Sequence, residues 1–303
     1  MIDHKYHYNK KMKKIISWLS ETKSEFQLYC FRRKIQVASL EETIEKIITE
    51  KCSISRFGDG EFYLMDGQDI AFQKANADLV ERLKRIIQSN ENNHLVCISN
   101  GINPHNYREF TKKHIKWMRN HFKNTIKNRL KYIDINRKYY NLLISRFWIP
   151  FKDKNRAKKV SGIIKNIWDN RNVVIIEGEK TRMGVGNDLL INVRSCQRIL
   201  CPSTNAFSKY EEILGCAKSF HKDSLFLIAL GPTATVLAYD LYQLGYQALD
   251  IGHIDLEYEW MKLGALQQID LPDRYVNEVS GGNNVDDCND EKYLSEIKYI
   301  IKN

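Results

Sequence analysis

Ser224-Leu225-Phe226-Leu227-Ile228-Ala229-Leu230, followed by Gly231-Pro232-Thr233-Ala234-Thr235, is the stretch from which the rest of the chain can be read. A short, continuous apolar run closed by Gly-Pro reads as a strand buried on both faces. Val236 to Leu244 continues as a helix, Gly245 stops it, and Tyr246 to Ile251 forms a second apolar strand. Strand, turn, helix, glycine and strand in succession make one unit of an α/β fold. Thr233 is a candidate N-cap, and the free N–H groups of the turn can receive a phosphate or a base carbonyl. A capped helix with no ligand explains the same residues.

Working upstream, Arg198 to Cys201 is a short strand closed by Pro202, and Ser203-Thr204-Asn205-Ala206-Phe207 opens a helix through Ile213. Asn172 to Ile176 is another continuous apolar strand. It leads into Glu177-Gly178-Glu179-Lys180-Thr181-Arg182-Met183-Gly184-Val185-Gly186-Asn187-Asp188 and an expected helix through Leu189 and Leu190. A polar, glycine-containing loop at the carboxyl end of such a strand is where open α/β sheets bind ligands. It lacks the G-x-G-x-x-G spacing of a dinucleotide site. Downstream, Gly252-His253-Ile254-Asp255-Leu256-Glu257 alternates ionisable and apolar residues. As a continued strand it puts His253, Asp255 and Glu257 on one face, where they can supply a base, a metal ligand or a hydroxyl anchor.

Near the start, Cys52-Ser53-Ile54-Ser55 reads as a strand entering Arg56-Phe57-Gly58-Asp59-Gly60-Glu61-Phe62. Read as an extended turn, this segment points Asp59 and Glu61 the same way. Paired hard oxygens suit Mg²⁺ or Mn²⁺, which keeps other positions for water and phosphate. A solvated Asp-Gly turn is the plain alternative. Leu40 to Glu50 and Asp78 to Ser89 are amphipathic helices, and His94 to Ser99 is a buried strand.

The net charge of +10 is concentrated: residues 108–159 hold 17 Lys or Arg against three acids, and the rest of the chain is slightly acidic. That segment interleaves aromatics such as Trp117, Phe122 and Trp148, and is read as a basic helical insertion. It can face an anionic small molecule or an anionic membrane surface; no nucleic-acid motif accompanies it, so nucleic acid is not an expected partner. Residues 1–38 are expected to form a basic helical extension, packed on the domain or lying on a membrane leaflet, and 281–303 a tail with a short helix. Seven cysteines without C-x-x-C spacing, and no signal-peptide pattern or apolar run of membrane-spanning length, give a cytoplasmic expectation, with peripheral contact at the inner face of the plasma membrane as its variant.

The pieces RFGDGEF, ISRFWIPFKDK, EGEKTRMGVGNDL, PSTNAF and ALGPTATVLAYDLYQLGYQALDIGHIDLEYEW, in this order across residues 39–280, resemble the GT-D glycosyltransferases. The resemblance implies a Rossmann-like, mostly parallel sheet flanked by helices. It also implies a UDP-sugar donor, a divalent metal (Mn²⁺ or Mg²⁺) bridging the diphosphate to the D-x-E motif Asp59-Gly60-Glu61, and a glycan, glycolipid or glycoprotein acceptor. Arg56 and Arg146 then become diphosphate partners. Phe57, Gly58, Glu179, Arg182, Gly184, Gly186, Asn187, Asp188, Asn205, Gly231, Pro232 and Thr233 complete the implied nucleotide-sugar set. His253, Asp255 and Glu257 fall near the transferred sugar or the acceptor, as candidate bases. A metal-dependent phosphohydrolase of nucleotide diphosphates and a non-catalytic membrane- or polymer-binding protein are the competing readings.

Overall fold

The computed structural model describes residues 25–282 and 285–303. The expected basic helix around Lys10 to Leu19 lies outside them. Nine strands form one parallel sheet in the order β1-β4-β3-β2-β8-β7-β5-β6-β9. These are β1 (Gln36–Val37), β2 (Ser53–Phe57), β3 (His94–Ile98), β4 (Lys138–Asn141), β5 (Asn172–Gly178), β6 (Ser195–Cys201), β7 (Leu225–Ala229), β8 (Gln247–Asp250) and β9 (Ile297–Ile300). The central strands are buried because helices cover both faces, which explains the apolar runs of β3, β5 and β7, while β2 buries Ser53 and Ser55 among its apolar residues.

After a helical stretch over residues 25–32 at the start of the described residues, the helices are α1 (Leu40–Thr49), α2 (Asp59–Met65), α3 (Ala77–Gln88), α4 (Lys112–Arg129), α5 (Lys154–Lys165), α6 (Tyr210–Ala217), α7 (Pro232–Gln243), α8 (Ile254–Lys262) and α9 (Glu291–Glu296). Several begin as local chemistry dictates. The Ser39 hydroxyl accepts from Glu42 N at 3.0 Å, and the Asn76 side chain accepts from Asp78 N at 2.9 Å. α7 starts differently: Gly231, at φ 53°, is its N-cap and Pro232 its first residue, so Thr233 does not cap it.

Five expectations need correction. Asp59 opens a helix instead of ending an extended turn, and α8 begins at Ile254, so the ionisable residues from 253 to 257 do not lie on a strand. Leu189 and Leu190 lie in turns, leaving no helix N-terminus to serve the 178–188 loop. The basic segment is not helical throughout: β4 is woven between β3 and β1. Finally, residues taken for extension and tail supply both edge strands, β1 and β9.

Candidate active site

The carboxyl ends of β2 and β8 meet through one ion pair. Arg56, the fourth residue of β2, donates to the carboxylate and carbonyl of Asp250 at the end of β8, with its closest carboxylate contact at 2.7 Å, and its other branch reaches the Ser145 hydroxyl. Backbone N–H of Arg56 also bonds Asp250, at 3.1 Å. Arg56 therefore clamps the two strands together, and its guanidinium is already engaged.

Immediately after β2 the chain turns into α2. Glu61, at the third helical position, reaches back to accept from the backbone N–H of Gly58 at 2.7 Å. Burial, reinforced by the negative charge of Asp250, pushes the Glu61 carboxyl up to about 7. Asp59 sits at the first helical position. Residues two apart on a helix point to nearly opposite sides, so the two acids do not converge as an extended segment would allow. Asp59 instead meets α4: its Oδ1 accepts from Arg129 at 2.6 Å and lies 3.3 Å from Nε2 of His121. Burial works to raise its carboxyl, but the His121 hydrogen bond and the Arg129 charge outweigh it and hold the value down at about 2. The Asp59 side chain keeps 38% of its surface exposed, and among the described residues both contacts fall on Oδ1. It is an ionised carboxylate with an oxygen to offer.

These donors suit a hard cation on Asp59. Such an ion is held by one or two carboxylates and completes its shell with water and phosphate. Glu61 fits less directly, because its Oε2 braces the turn and the carboxyl holds a proton up to neutral pH. No cluster of three or more His, Cys, Asp or Glu with metal-holding geometry occurs among the described residues.

A second charged group stands at the end of β4 and the start of α8. Arg146 forms a two-pronged pair with Glu278, and Glu278 lies 3.4 Å from Nε2 of His253. Burial favours the neutral form of Glu278, yet facing His253 and Arg146 it is held at about 2. Burial, and then the Arg146 charge, lowers His253 to about 4. At neutral pH His253 is thus uncharged, and Arg146 carries the interaction with Glu278. With Nε2 facing the oxygens of Glu278 and Asn277, the proton rests there and Nδ1 keeps the lone pair.

Asp255 and Glu257 are placed elsewhere. Asp255 is buried against Arg274 (2.5 Å) and accepts from Gly184 N (2.9 Å) and the Asn187 amide (2.8 Å). Glu257 is fully buried, and its Oε2 accepts from Trp148 N and Ile149 N, both at 2.8 Å. Burial pushes Glu257 up to about 7. Both carboxylates hold loops in place, which corrects their reading as bases.

The other half of the sheet's carboxyl edge is occupied by its own chain. Gly231 faces the Phe72 ring, 2.7 Å from where a Cβ would stand, and Pro232 is buried beside it. Thr233 is fully buried and bonds the Gln73 side chain at 3.3 Å. Asn205, at φ 51°, takes the Phe72 carbonyl and the Lys74 N–H. Arg182 is buried and donates to the carbonyls of Asp273 and Asp286. Asp188 pairs with Lys165 (2.8 Å) and Lys262 (2.9 Å), contacts that lower its carboxyl. Gly184, Gly186 and Asn187 line a cavity of about 210 Å³ together with Arg198, Tyr293 and Glu296. Glu179 is exposed, its N–H on the Cys201 carbonyl. Phe57 is buried in the core, and Gly58 is the α2 N-cap.

The structure thus gathers Arg56, Asp59, Glu61, Arg146 and His253 from the expected set along the β2, β8 and β4 ends. It adds Arg129, His121, Asp250 and Glu278, which the sequence reading missed. The histidines left one signal: His114, Trp117 and His121 recur at helical spacing in the basic segment. Arg129, Asp250 and Glu278 left none, since each partner is distant in sequence.

A family model described as the glycosyltransferase GT-D fold matches residues 54–279. Glycosyltransferase GlyD of Streptococcus pneumoniae is 37% identical over 276 residues, covering 89% of this chain and 33% of that protein. A probable glycosyl transferase, Gly, of Streptococcus gordonii is 36% identical over 273 residues, covering 88% and 39% respectively. The chain therefore spans about a third of the length of the curated relatives it matches. Among solved structures, a domain described as the highly conserved domain of unknown function 1792 with a distinct glycosyltransferase fold superposes with a TM-score of 0.86. It is 35% identical and covers 92% of this chain and 100% of its own. A further structure, described as a new glycosyltransferase from Streptococcus sanguinis, gives 0.82 at 33% identity, over 88% and 100%.

Proposed function

Because this chain belongs to the GT-D-fold glycosyltransferase family, we propose that it moves a hexose from a UDP-sugar to a hydroxyl of a glycan, glycolipid or glycoprotein. The observation that carries this reading is Asp59: ionised, open on one oxygen, and rigidly set between α2 and α4 at the sheet's carboxyl edge. Its residues fit a divalent cation, Mn²⁺ or Mg²⁺, which when bound supplies positive charge to the donor's diphosphate.

Breaking the sugar–phosphate bond leaves extra negative charge on the departing nucleotide. Arg146, once its pairing with Glu278 is exchanged for phosphate oxygens, can stabilise that charge as it develops. Arg56 keeps its grip on Asp250 and acts by holding the β2 end, and with it Asp59, in position. Glu61 fixes the first turn of α2 through Gly58. Of the three candidate bases, His253 is the one with an accessible ring and a free lone pair, so it is assigned to receive the acceptor's hydroxyl proton.

The test is calorimetric titration of UDP into the protein with and without Mn²⁺, beside Asp59→Asn. Binding should depend on metal and fall by about 100-fold in the variant, on the order of 2.7 kcal/mol. Metal-independent binding that ignores the substitution would remove Asp59 from the donor site. Assay of UDP-sugar turnover with and without saccharide acceptors then separates transfer from hydrolysis.

A further inference from the structure

We propose that the outer face of α4 is a docking surface for an anionic lipid membrane, which the helix meets lengthwise. The inference goes beyond the transfer reaction and does not depend on the donor chemistry. Between Lys112 and Arg129 the helix carries no Asp or Glu. At about 100° per residue, Lys112, Lys116, Arg119, Lys123 and Lys127 fall within about 80° of one another, in a row about 22 Å long. All five are exposed, as is Lys113 beside them. Among the described residues, the one α4 cation that pairs with a carboxylate is Arg129, which belongs to the buried face with Met118, Phe122 and Ile126. Lys113 meets the neutral Gln267 side chain, and Arg119 lies 6.0 Å from the Tyr107 ring.

This row works against its own helix. Lys112 and Lys116, and again Lys123 and Lys127, are like charges four positions apart, which repel across one turn. Elsewhere the fold matches such positions with opposite charge: Lys46 pairs with Glu50, and Arg82 with Asp78. An anionic surface laid along the row converts that repulsion into attraction.

The shape of the row selects the occupant. Lysine ammonium groups are point charges on flexible stems, and a single line of them on a convex helix forms no pocket to close round a small anion. Single-stranded nucleic acid binds where its bases find free aromatic faces. Both faces of Trp117 are taken, by His114 at 5.4 Å and by His121 at 4.9 Å. Its edge is left outward at the margin of the row, and the residue is 49% exposed. An indole edge beside lysines is the chemistry of a helix that lies at the headgroup level of a bilayer. The helical stretch over 25–32, tied to α4 by Arg32 over the Phe122 ring at 4.7 Å, adds the exposed Phe26 and Tyr29. Docking along α4 holds Asp59, which Arg129 and His121 of the same helix contact, about one helix width, roughly 10 Å, from the headgroups.

The experiment is co-sedimentation of the full chain with vesicles of phosphatidylcholine, alone or with about 30% phosphatidylglycerol, at about 0.1 M salt with EDTA present. Two variants remove the same charge. One is Lys112→Gln with Lys116→Gln, Lys123→Gln and Lys127→Gln. The other is Lys218→Gln with Lys292→Gln, Lys298→Gln and Lys302→Gln, exposed lysines around β9. Wild type and the β9 variant should bind the anionic vesicles and leave the neutral ones. The α4 variant should bind at least about 100-fold more weakly, since each lysine at such a surface contributes roughly fivefold. It should melt no lower than wild type, because repulsion along the helix is relieved. No preference of the wild type for anionic vesicles overturns the proposal, and so does an equal loss in both variants, which would reduce the effect to net charge. Tighter binding of polyglutamate or of a DNA oligonucleotide than of anionic vesicles, lost in the α4 variant, would overturn it too, by making the row a polymer site. EDTA keeps metal out of the measurement, so its outcome is independent of the UDP calorimetry.

Discussion

The two halves of the sheet's carboxyl edge look alike in sequence and differ in what their polar groups are free to do. Around β5, β6 and β7 the glycine-bearing loops meet their own chain: Gly231 meets Phe72, Asn205 holds the 72–74 backbone, and Asp255 gathers Gly184, Asn187 and Arg274. Around β2, β4 and β8 the charged groups are paired but stay reachable, with Asp59, Arg146 and His253 all partly exposed. A loop rich in glycine and polar residues is a binding loop only when its hydrogen-bonding capacity is left over after folding.

The most severe test of this contrast is Asp255→Ala. It strips the buried Arg274 Nε of its partner, leaving that guanidinium to Asp273 and the Val185 carbonyl, and takes the acceptor from Gly184 N and the Asn187 amide, so it should cost about 3 kcal/mol in urea unfolding while UDP binding by the folded fraction persists. Unchanged stability with lost UDP binding would move the ligand to the β5 side and reverse the comparison.

The pH response sharpens it next. Glu61 and Glu257, raised from 4.5 to about 7, retain protons that the unfolded chain has released. They make stability fall as pH rises from 4.5 toward 7, each by up to about 3 kcal/mol. His114 and His253, lowered from 6.5 to about 4, stay neutral where the unfolded chain is protonated. They make stability fall as pH drops from 6.5 toward 4. The trends oppose one another, so thermal melts of the wild type should vary little across this window. Glu61→Gln with Glu257→Gln should uncover a melting temperature that climbs steadily with pH. A profile as flat as the wild type would show that both acids are ionised in the fold.

The smallest expected effect concerns Glu278→Gln. With the competing carboxylate gone, Arg146 becomes available and UDP affinity should rise about fivefold, close to 1 kcal/mol. A loss of affinity in the same titration would mean that Glu278 supports the ligand directly.

Most of the sheet was legible because β3, β5 and β7 are largely apolar runs, with β8 inside another at residues 246–251, and parallel strands buried on both faces demand such runs; β2 showed instead as a short alternation of serine and isoleucine. The same logic misled at α8. Ile254, Asp255, Leu256, Glu257, Tyr258 and Trp260 are all buried, so the helix shows no polar face and its alternation imitates a strand. At α2, two glycines within three residues signal a turn, and the helix forms nonetheless because Glu61 closes its first turn on Gly58. Strand β4 is short and set among lysines and arginines, many of them matched by distant acids: Arg129 by Asp59, Arg156 by Glu41, Lys138 by Glu42. Pairings of this kind are created by the fold and leave no local pattern.

The pairing of β2 with β8 also sets a clock. Ile54 lies beside Leu249, and Arg56 bonds Asp250 across 194 positions of chain. During synthesis at about 5–20 residues per second, the nascent β2 waits roughly 10 to 40 s for its neighbour to emerge. Until then Asp59 and Glu61 are already made, but the strand that fixes their position is still inside the ribosome.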